Sequence, residues 1–333
     1  MTGWAIIGTG RFADAVMAPA ITAAGGSLIA VCGRDPSKVA AFAHKHRAEE
    51  HYTDIAAVLA HPGVDAVYIS SPNVLHADHA RAAARAGKHV LCDKPLAMTV
   101  GGAASIIEEC SRAGVVLATN FQGRQFSAYR AARDILASGA LGRLRLIHMS
   151  LGLGHRPLAG WRSNAHAAGL GVIFNVAIHG YDAIRFITGR EVVSVSGKTL
   201  IEERSALDNL ALATFELDCS ALVQVTADQL LPFARNDLQI CGSQGRITGT
   251  NVTRVGLAGD LRVQIDGQAD EISQHDTSDC FKRTIDDFHV AIASRCEPAA
   301  TGYDGMKSVE IAVAVAQSGA SGRTIRLPLQ ADV

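Results

Sequence analysis

The feature that most constrains this chain is a glycine-bearing turn at its start. The apolar run Trp4-Ala5-Ile6-Ile7 meets Gly8-Thr9-Gly10-Arg11-Phe12-Ala13, and a second apolar run, Leu28 to Val31, stops at Cys32-Gly33-Arg34. A short buried strand that feeds such a turn, then a helix, then another strand, is the βαβ arrangement whose turn cradles a phosphate. In the spacing G-x-G-x-x-A, Gly8 permits the tight bend, Gly10 lets the backbone approach a pyrophosphate, and Ala13 is small enough for close helix packing. The helix N-terminus presents unpaired N–H groups to phosphate oxygens, with Thr9, Arg11 and Phe12 completing the loop. A glycine turn alone is common loop punctuation; the ordered strand, turn, helix and strand give it weight.

Strand and helix signals keep alternating through the first third. Helices are expected over residues 13 to 24, Pro36 to His46, Asp54 to Ala60, Ala77 to Ala86 and 99 to 113. Strands are expected at Ala66 to Ser70, His89 to Cys92 and Val115 to Ala118, with a short connection around His51-Tyr52-Thr53. Such alternation predicts right-handed crossovers and a doubly wound parallel α/β sheet of Rossmann type, with ligands at the carboxyl ends of the strands. After Asn120 the texture changes. A helix over Ser127 to Ala137, a strand at Arg145 to Met149, a glycine-containing loop from Gly152 to Gly171 and a helix from Val172 to Ile187 precede alternating apolar and polar runs from Val192 to Ile272. That period of two predicts antiparallel sheet, so the second domain reads as α+β with a large, mostly antiparallel, open-faced sheet. Two helices, near Cys280 to Ser294 and Tyr303 to Gln317, close the chain. The expected domains are 1–120 for dinucleotide binding and 121–333 for substrate binding and dimerisation.

With 333 residues, two domains are the prior. A formal net charge of -1 offers no basic surplus for nucleic acid. No apolar run approaches membrane-spanning length and no leader-like segment precedes the first strand, so neither a nucleic-acid nor a membrane partner is expected and the location is read as cytoplasmic. Seven scattered cysteines read as reduced, small core residues, and no His/Cys spacing suggests a metal site.

Two further stretches carry chemistry. In Ala86-Gly87-Lys88-His89-Val90-Leu91-Cys92-Asp93-Lys94-Pro95, a lysine stands at the end of a buried strand. Such a lysine is usually a solvated charge; here Pro95 fixes the chain direction just after it, and an ammonium aimed into the ligand crevice could bond a substrate oxygen. In Gly169-Leu170-Gly171-Val172-Ile173-Phe174-Asn175-Val176-Ala177-Ile178-His179-Gly180-Tyr181-Asp182, Asn175 and His179 are spaced to emerge on one helix face. Histidine is the side chain best suited to exchange a proton near neutral pH.

On these motifs the whole chain resembles the Gfo/Idh/MocA oxidoreductases, and within them most of all the 1,5-anhydro-D-fructose reductase branch. The family motif A-G-K-H-V-x-x-E-K-P is similar to residues 86 to 95, with Asp93 for Glu; G-G-G-x-x-x-D-x-x-x-H-x-x-D is similar to 169 to 182, with Leu170 for Gly and Asn175 for Asp. Val90-Leu91-Cys92-x-Lys94-Pro95-Leu96-Ala97-Met98-Thr99, Gly160-Trp161-Arg162 and Ala300-Thr301-Gly302-Tyr303-Asp304-Gly305 carry the likeness to the branch. The resemblance implies a nicotinamide dinucleotide on the first domain, a sugar or polyol against the open sheet of the second, and a homodimer or higher oligomer formed through that sheet. It implies catalytic roles for Lys94 and His179, with Asn175 orienting substrate. It also implies cofactor contacts from Ser71, Pro72, Asn73, His76, Asp93, Asn120, Trp161 and Arg162. For His76 and His79 a helix N-terminal hydrogen bond stays open as the alternative. An asparagine at 175 keeps hydrogen bonding but lacks the charge that would support His179 protonation.

Cofactor choice is argued locally. A site for the free 2′-hydroxyl places an acid at the end of the second strand, roughly twenty residues past the glycines. This chain has Gly33-Arg34 there, with Lys38 a helical turn on, and Asp35 directly before Pro36 reads as a helix cap. A guanidinium suits a 2′-phosphate, so NADP(H) is expected ahead of NAD. The expected activity is hydride transfer between nicotinamide and a carbonyl or secondary alcohol of a sugar-like compound. The alternatives are an NAD-dependent polyol or dihydrodiol dehydrogenase and a non-catalytic dinucleotide sensor.

Overall fold

In the computed structural model, residues 1–156, 158–203 and 205–329 are described. By packing, the chain divides into two compact units, Met1–Phe121 with Phe281–Met306, and Gln122–Cys280 with the chain from Lys307 onward.

The first unit holds six parallel strands, β1 (Gly3–Ile7), β2 (Ser27–Cys32), β3 (Glu50–Tyr52), β4 (Ala66–Ile69), β5 (His89–Cys92) and β6 (Leu117–Thr119). Their order is β3-β2-β1-β4-β5-β6, the doubly wound Rossmann order whose direction reverses beside β1. Every residue of β1 and β4 is buried, as expected of strands covered on both faces. Helices α1 (Ala18–Ala23), α2 (Pro36–His46), α3 (Ile55–Leu59), α4 (His76–Arg85) and α5 (Val100–Ala113) make the connections. The expected helix over 13 to 24 opens as a π turn, Ala13–Met17, before α1. Asp35 caps α2 by accepting from the N–H groups of Ser37 and Lys38, and Thr99 caps α5 by accepting from that of Gly102. The stretch read as a connection at His51-Tyr52-Thr53 is instead the edge strand β3, paired with β2 from Glu50 to Tyr52. Two exposed polar residues and one half-buried tyrosine carry too little apolar alternation to announce a strand.

One face of this sheet presents Trp4, Ile6, Tyr68 and Leu91, and these pack with Ile285 and Phe288 from α9 (Cys280–Ser294). Burying such side chains contributes about 1.5–3 kcal/mol each, and Nε1 of Trp4 donates to Nε2 of His289 at 3.0 Å. A boundary at 120/121 therefore misses a segment: residues 281 to 306, distant in sequence, complete the core of the first unit.

Among the described residues the second unit is built on nine strands: β7 (Leu144–Gly152), β8 (Val192–Leu200), β9 (Leu210–Leu217), β10 (Leu222–Asp228), β11 (Leu238–Gly242), β12 (Gly245–Thr250), β13 (Ala258–Ile265), β14 (Glu271–Asp276) and β15 (Ile325–Arg326). Their order is β14-β13-β12-β11-β7-β10-β9-β8-β15. All pairs are antiparallel except β7 with β10. That parallel pair needs a long crossover, and the chain between the two strands supplies it with α7 (Ala165–Ala168), a π turn at Ile173–Ala177, α8 (Ile178–Thr188), β8 and β9. α6 (Ser127–Ala137) packs with α8, and α10 (Gly302–Ser321) is the closing helix. Along β9 and β10 burial alternates residue by residue, leaving one face open. Ala165–Thr188 is long and apolar enough to cross a membrane, which corrects the expectation that no such run exists; 72% of its most apolar window is buried inside the protein, as in a core helix. Cys32, Cys92, Cys110 and Cys280 are buried, whereas Cys296 is exposed rather than in a core.

Candidate functional site

The parallel sheet gathers the expected cofactor residues of the first unit at one edge. Gly8 to Phe12 follow β1; Gly33, Arg34 and Lys38 follow β2; Ser71, Pro72, Asn73 and His76 follow β4; Asp93 and Lys94 follow β5; Asn120 follows β6. Gly8 adopts φ of 113°, and a Cβ there would come within 2.6 Å of the Ser70 carbonyl oxygen, so only glycine lets the turn lie against the β4 loop. At Gly10 an added Cβ would meet no protein atom within 4 Å. No neighbour demands a glycine there, and the bare, open backbone fits a pyrophosphate. Arg34 and Lys38 are exposed, and the Asp35 carboxylate is turned to its own helix, with Oδ1 accepting from the Ser37 hydroxyl at 2.6 Å and from the N–H groups of Ser37 and Lys38. The Ser37 hydroxyl bond, first among the causes, holds this carboxyl below its usual range.

Beneath Lys94 lies a buried polar group. Asp93 Oδ1 accepts from the Lys94 N–H at 2.9 Å and from Asn120 Nδ2 at 3.5 Å, and the same Nδ2 lies 3.5 Å from the Tyr68 hydroxyl. Burial, then the Asp93 charge, pushes the Tyr68 phenol well above its usual range, so it stays protonated. Oδ1 of Asn120, on a residue 1% exposed, is sealed from solvent and meets no donor among the described residues. His76 sits at 1% exposure, with Nδ1 2.7 Å from the Pro95 carbonyl and Nε2 2.9 Å from the Ser71 carbonyl. Its ring ties the loop after β4 to the Lys94-Pro95 turn. His79 Nδ1 pairs with the Ser71 hydroxyl at 3.0 Å, and burial first, then His76, lowers its pKa. Phe12, on the glycine turn, packs edge-on against Phe281 with ring centroids 5.4 Å apart.

In the second unit the catalytic candidates stand on a helix. Along residues 171–187 only Asn175 and His179 escape full burial. Residues 173–177 form a π turn and 178 onward an α-helix, and the pair still shares the one uncovered stripe. Trp161 and Arg162 lie on the 3₁₀ turn Gly160–Ser163, with the guanidinium stacked 4.3 Å over the indole ring.

Three supports of this helix carry no motif of their own in the sequence. Asp208 accepts from the Gly171 N–H at 2.7 Å and the Ile173 N–H at 2.8 Å, and its main-chain carbonyl accepts from Val172 at 2.7 Å. A Cβ at Gly171 would fall 2.0 Å from that carbonyl oxygen, which explains the glycine. A carboxylate at this end also answers the helix dipole. Arg124 holds the 2% exposed carboxylate of Asp182, the last residue of the motif, with Nε to Oδ2 at 3.0 Å and Nη2 to Oδ1 at 2.6 Å. Gln229, just past β10, accepts from Asn175 Nδ2 at 3.4 Å. Each partner is remote in sequence, so no local spacing could reveal it.

Comparison with known proteins identifies the family. The oxidoreductase family GFO_IDH_MocA, described by its NAD-binding Rossmann fold, matches residues 2–121, and the GFO/IDH/MocA C-terminal domain matches residues 129–248. The chain is 31% identical to 1,5-anhydro-D-fructose reductase of Ensifer adhaerens, covering 98% of this chain and 99% of that one. It is 25% identical to myo-inositol 2-dehydrogenase of Thermotoga maritima over 84% of each. An aldose-aldose oxidoreductase from Caulobacter crescentus, solved with glycerol, superposes with a TM-score of 0.89 at 25% identity over 98% of this chain and 99% of that one. The chain thus belongs to the GFO/IDH/MocA family and is an NAD(P)-dependent oxidoreductase.

Proposed function

We propose that the protein is an NADP(H)-dependent reductase of a ketone in a sugar-like compound, of the 1,5-anhydro-D-fructose type, with Lys94 and His179 acting on the reacting carbonyl. The observation that carries this reading is the pair Asn175 and His179, the two half-buried residues along the otherwise buried stretch 171–187. The bound nicotinamide would supply the hydride. Lys94 stabilises the charge that develops on the carbonyl oxygen, and His179 delivers the proton to that oxygen. Asn175 holds a neighbouring hydroxyl. Gly8, Thr9, Gly10, Arg11 and Phe12 hold the pyrophosphate. Ser71, Pro72, Asn73, Asp93, Asn120, Trp161 and Arg162 are proposed as further cofactor contacts, and His76 as the brace behind them.

Support for NADP(H) comes from the end of β2, where Arg34 and Lys38 are exposed and the acid of Asp35 is engaged in capping. Turnover with NADPH and NADH, for the parent and for Arg34→Asp, tests this. The parent should favour NADPH, and the variant should lose about tenfold or more with NADPH alone; a parent that prefers NADH overturns the assignment. A panel of ketoses and anhydroketoses with NADPH, alongside Lys94→Ala, tests the chemistry. Lys94→Ala should lower kcat by about 10²-fold or more, and a parent as inert as the variant across the panel would remove the reductase reading. The open face of the nine-stranded sheet, with Leu222 58% and Ile272 57% exposed, is proposed as the surface that pairs copies of the chain. Sedimentation of Leu222→Glu against the parent tests it, with a shift toward monomer expected.

A further inference from the structure

The residue that follows β10 carries a buried side-chain amide. Gln229 is 0% exposed. Its N–H donates to the Asn209 carbonyl at 3.2 Å and its carbonyl accepts from the Arg156 N–H at 3.1 Å, so its main chain is satisfied. Its side-chain Oε1 accepts from Asn175 Nδ2, 54 residues away in sequence, at 3.4 Å. Its Nε2 is sealed from solvent and meets no acceptor among the described residues.

A buried amide with an unanswered N–H2 is unfavourable, and leucine or methionine would fill similar space without that penalty. The amide is therefore explained by the bond it does make. That bond goes to one of the two uncovered residues between 171 and 187. An asparagine amide has two ends of nearly the same shape and opposite hydrogen-bonding sense, whereas both oxygens of a carboxylate accept. A partner that takes the N–H2 end decides which way the amide faces.

We propose that Gln229 is a positioning residue for the reaction: its Oε1 engages Asn175 Nδ2 and sets the orientation in which Asn175 meets a hydroxyl of the sugar-like substrate. The inference rests on Asn175 touching substrate, as proposed above.

The test is a double-mutant cycle on the NADPH-dependent reduction, with 1,5-anhydro-D-fructose as the first probe and otherwise the panel substrate that turns over. It compares the parent, Asn175→Ala, Gln229→Leu, Gln229→Glu and the Asn175→Ala/Gln229→Leu double variant, each with its unfolding midpoint. Gln229→Leu should raise KM for the carbonyl compound about tenfold and leave KM for NADPH unchanged. On the Asn175→Ala background the same change should alter kcat/KM by less than about twofold, because the group it orients is gone. Gln229→Glu keeps an acceptor for Nδ2 and should recover most of the loss. If leucine prevents folding, Gln229→Met serves in its place. An Asn175→Ala enzyme that is crippled while Gln229→Leu matches the parent overturns the positioning role alone, as does a full additive loss in the double variant. An Asn175→Ala enzyme that matches the parent, or a panel with no turnover, overturns the reading of Asn175 and this inference with it.

Discussion

In the first unit the residues proposed to hold the cofactor sit on loops at the carboxyl ends of parallel strands, whereas in the second Asn175 and His179 project from a helix laid on a mixed sheet. The loops owe their shape to nearby backbone, as at Gly8, where positive φ and the Ser70 carbonyl leave room for no side chain. The helix owes its place to distant partners: Asp208 at its start, Arg124 beneath Asp182 and Gln229 beside Asn175. A site built on loops can be read from short motifs. One built on a braced helix depends on residues that motifs do not contain, and should fail through them.

The largest test of that contrast is Arg124→Ala, which leaves the 2% exposed carboxylate of Asp182 without its guanidinium. Stability of the second unit should fall by about 3–5 kcal/mol. Native-state hydrogen exchange should show this in β9 and β10, with β1 and β4 unchanged; equal loss in both units would mean that they unfold as one, and the contrast would break. Next in size is Asp208→Asn, which retains one good acceptor where two N–H groups need one. A cost of about 1–3 kcal/mol, with faster exchange confined to residues 171 to 175 and a lower kcat at unchanged KM for NADPH, would sharpen it.

The smallest effect is one of pH. Burial, the leading cause in each case, lowers the pKa of His79, His89 and His289 in the first unit. His289 accepts from Trp4, and the ring nitrogen of His89 accepts from the Val116 N–H, so both bonds need a neutral acceptor. With folded values below the unfolded value near 6.5, the unfolded chain binds more protons in the window between them. Stability is fully present above about pH 6.5 and is lost as pH falls through the folded values. The second unit has His275 shifted the same way and Asp228 raised by burial, which acts in the opposite sense at lower pH. Fluorescence of Trp4 in a Trp161→Phe background should therefore report a falling urea midpoint between about pH 7 and about pH 5. A flat midpoint would show that these imidazoles do not couple to folding.

Much of the architecture was legible because it rests on local period and punctuation. Strand-helix alternation predicted the parallel sheet, and alternation of apolar and polar residues predicted the second one. The edge strand Glu50–Tyr52 was missed because three residues are too few to show a period, and the parallel pairing of β7 with β10 because pairing partners leave no trace in either strand's own pattern. Residues 281 to 306 were assigned to the wrong unit because an amphipathic helix announces that it has a buried face and not which sheet will cover it.

The sequence by itself determined the glycine turn, the strand-end lysine and the spacing of Asn175 and His179, since each follows from a few consecutive residues and the steric limits of the backbone. Tertiary structure alone decided that His76 braces two loops, that Asp208 and Gln229 support the helix, and that α9 closes the first core. Those depend on which distant groups meet once apolar faces are buried, and a hydrogen bond across dozens of residues is specified by the fold as a whole.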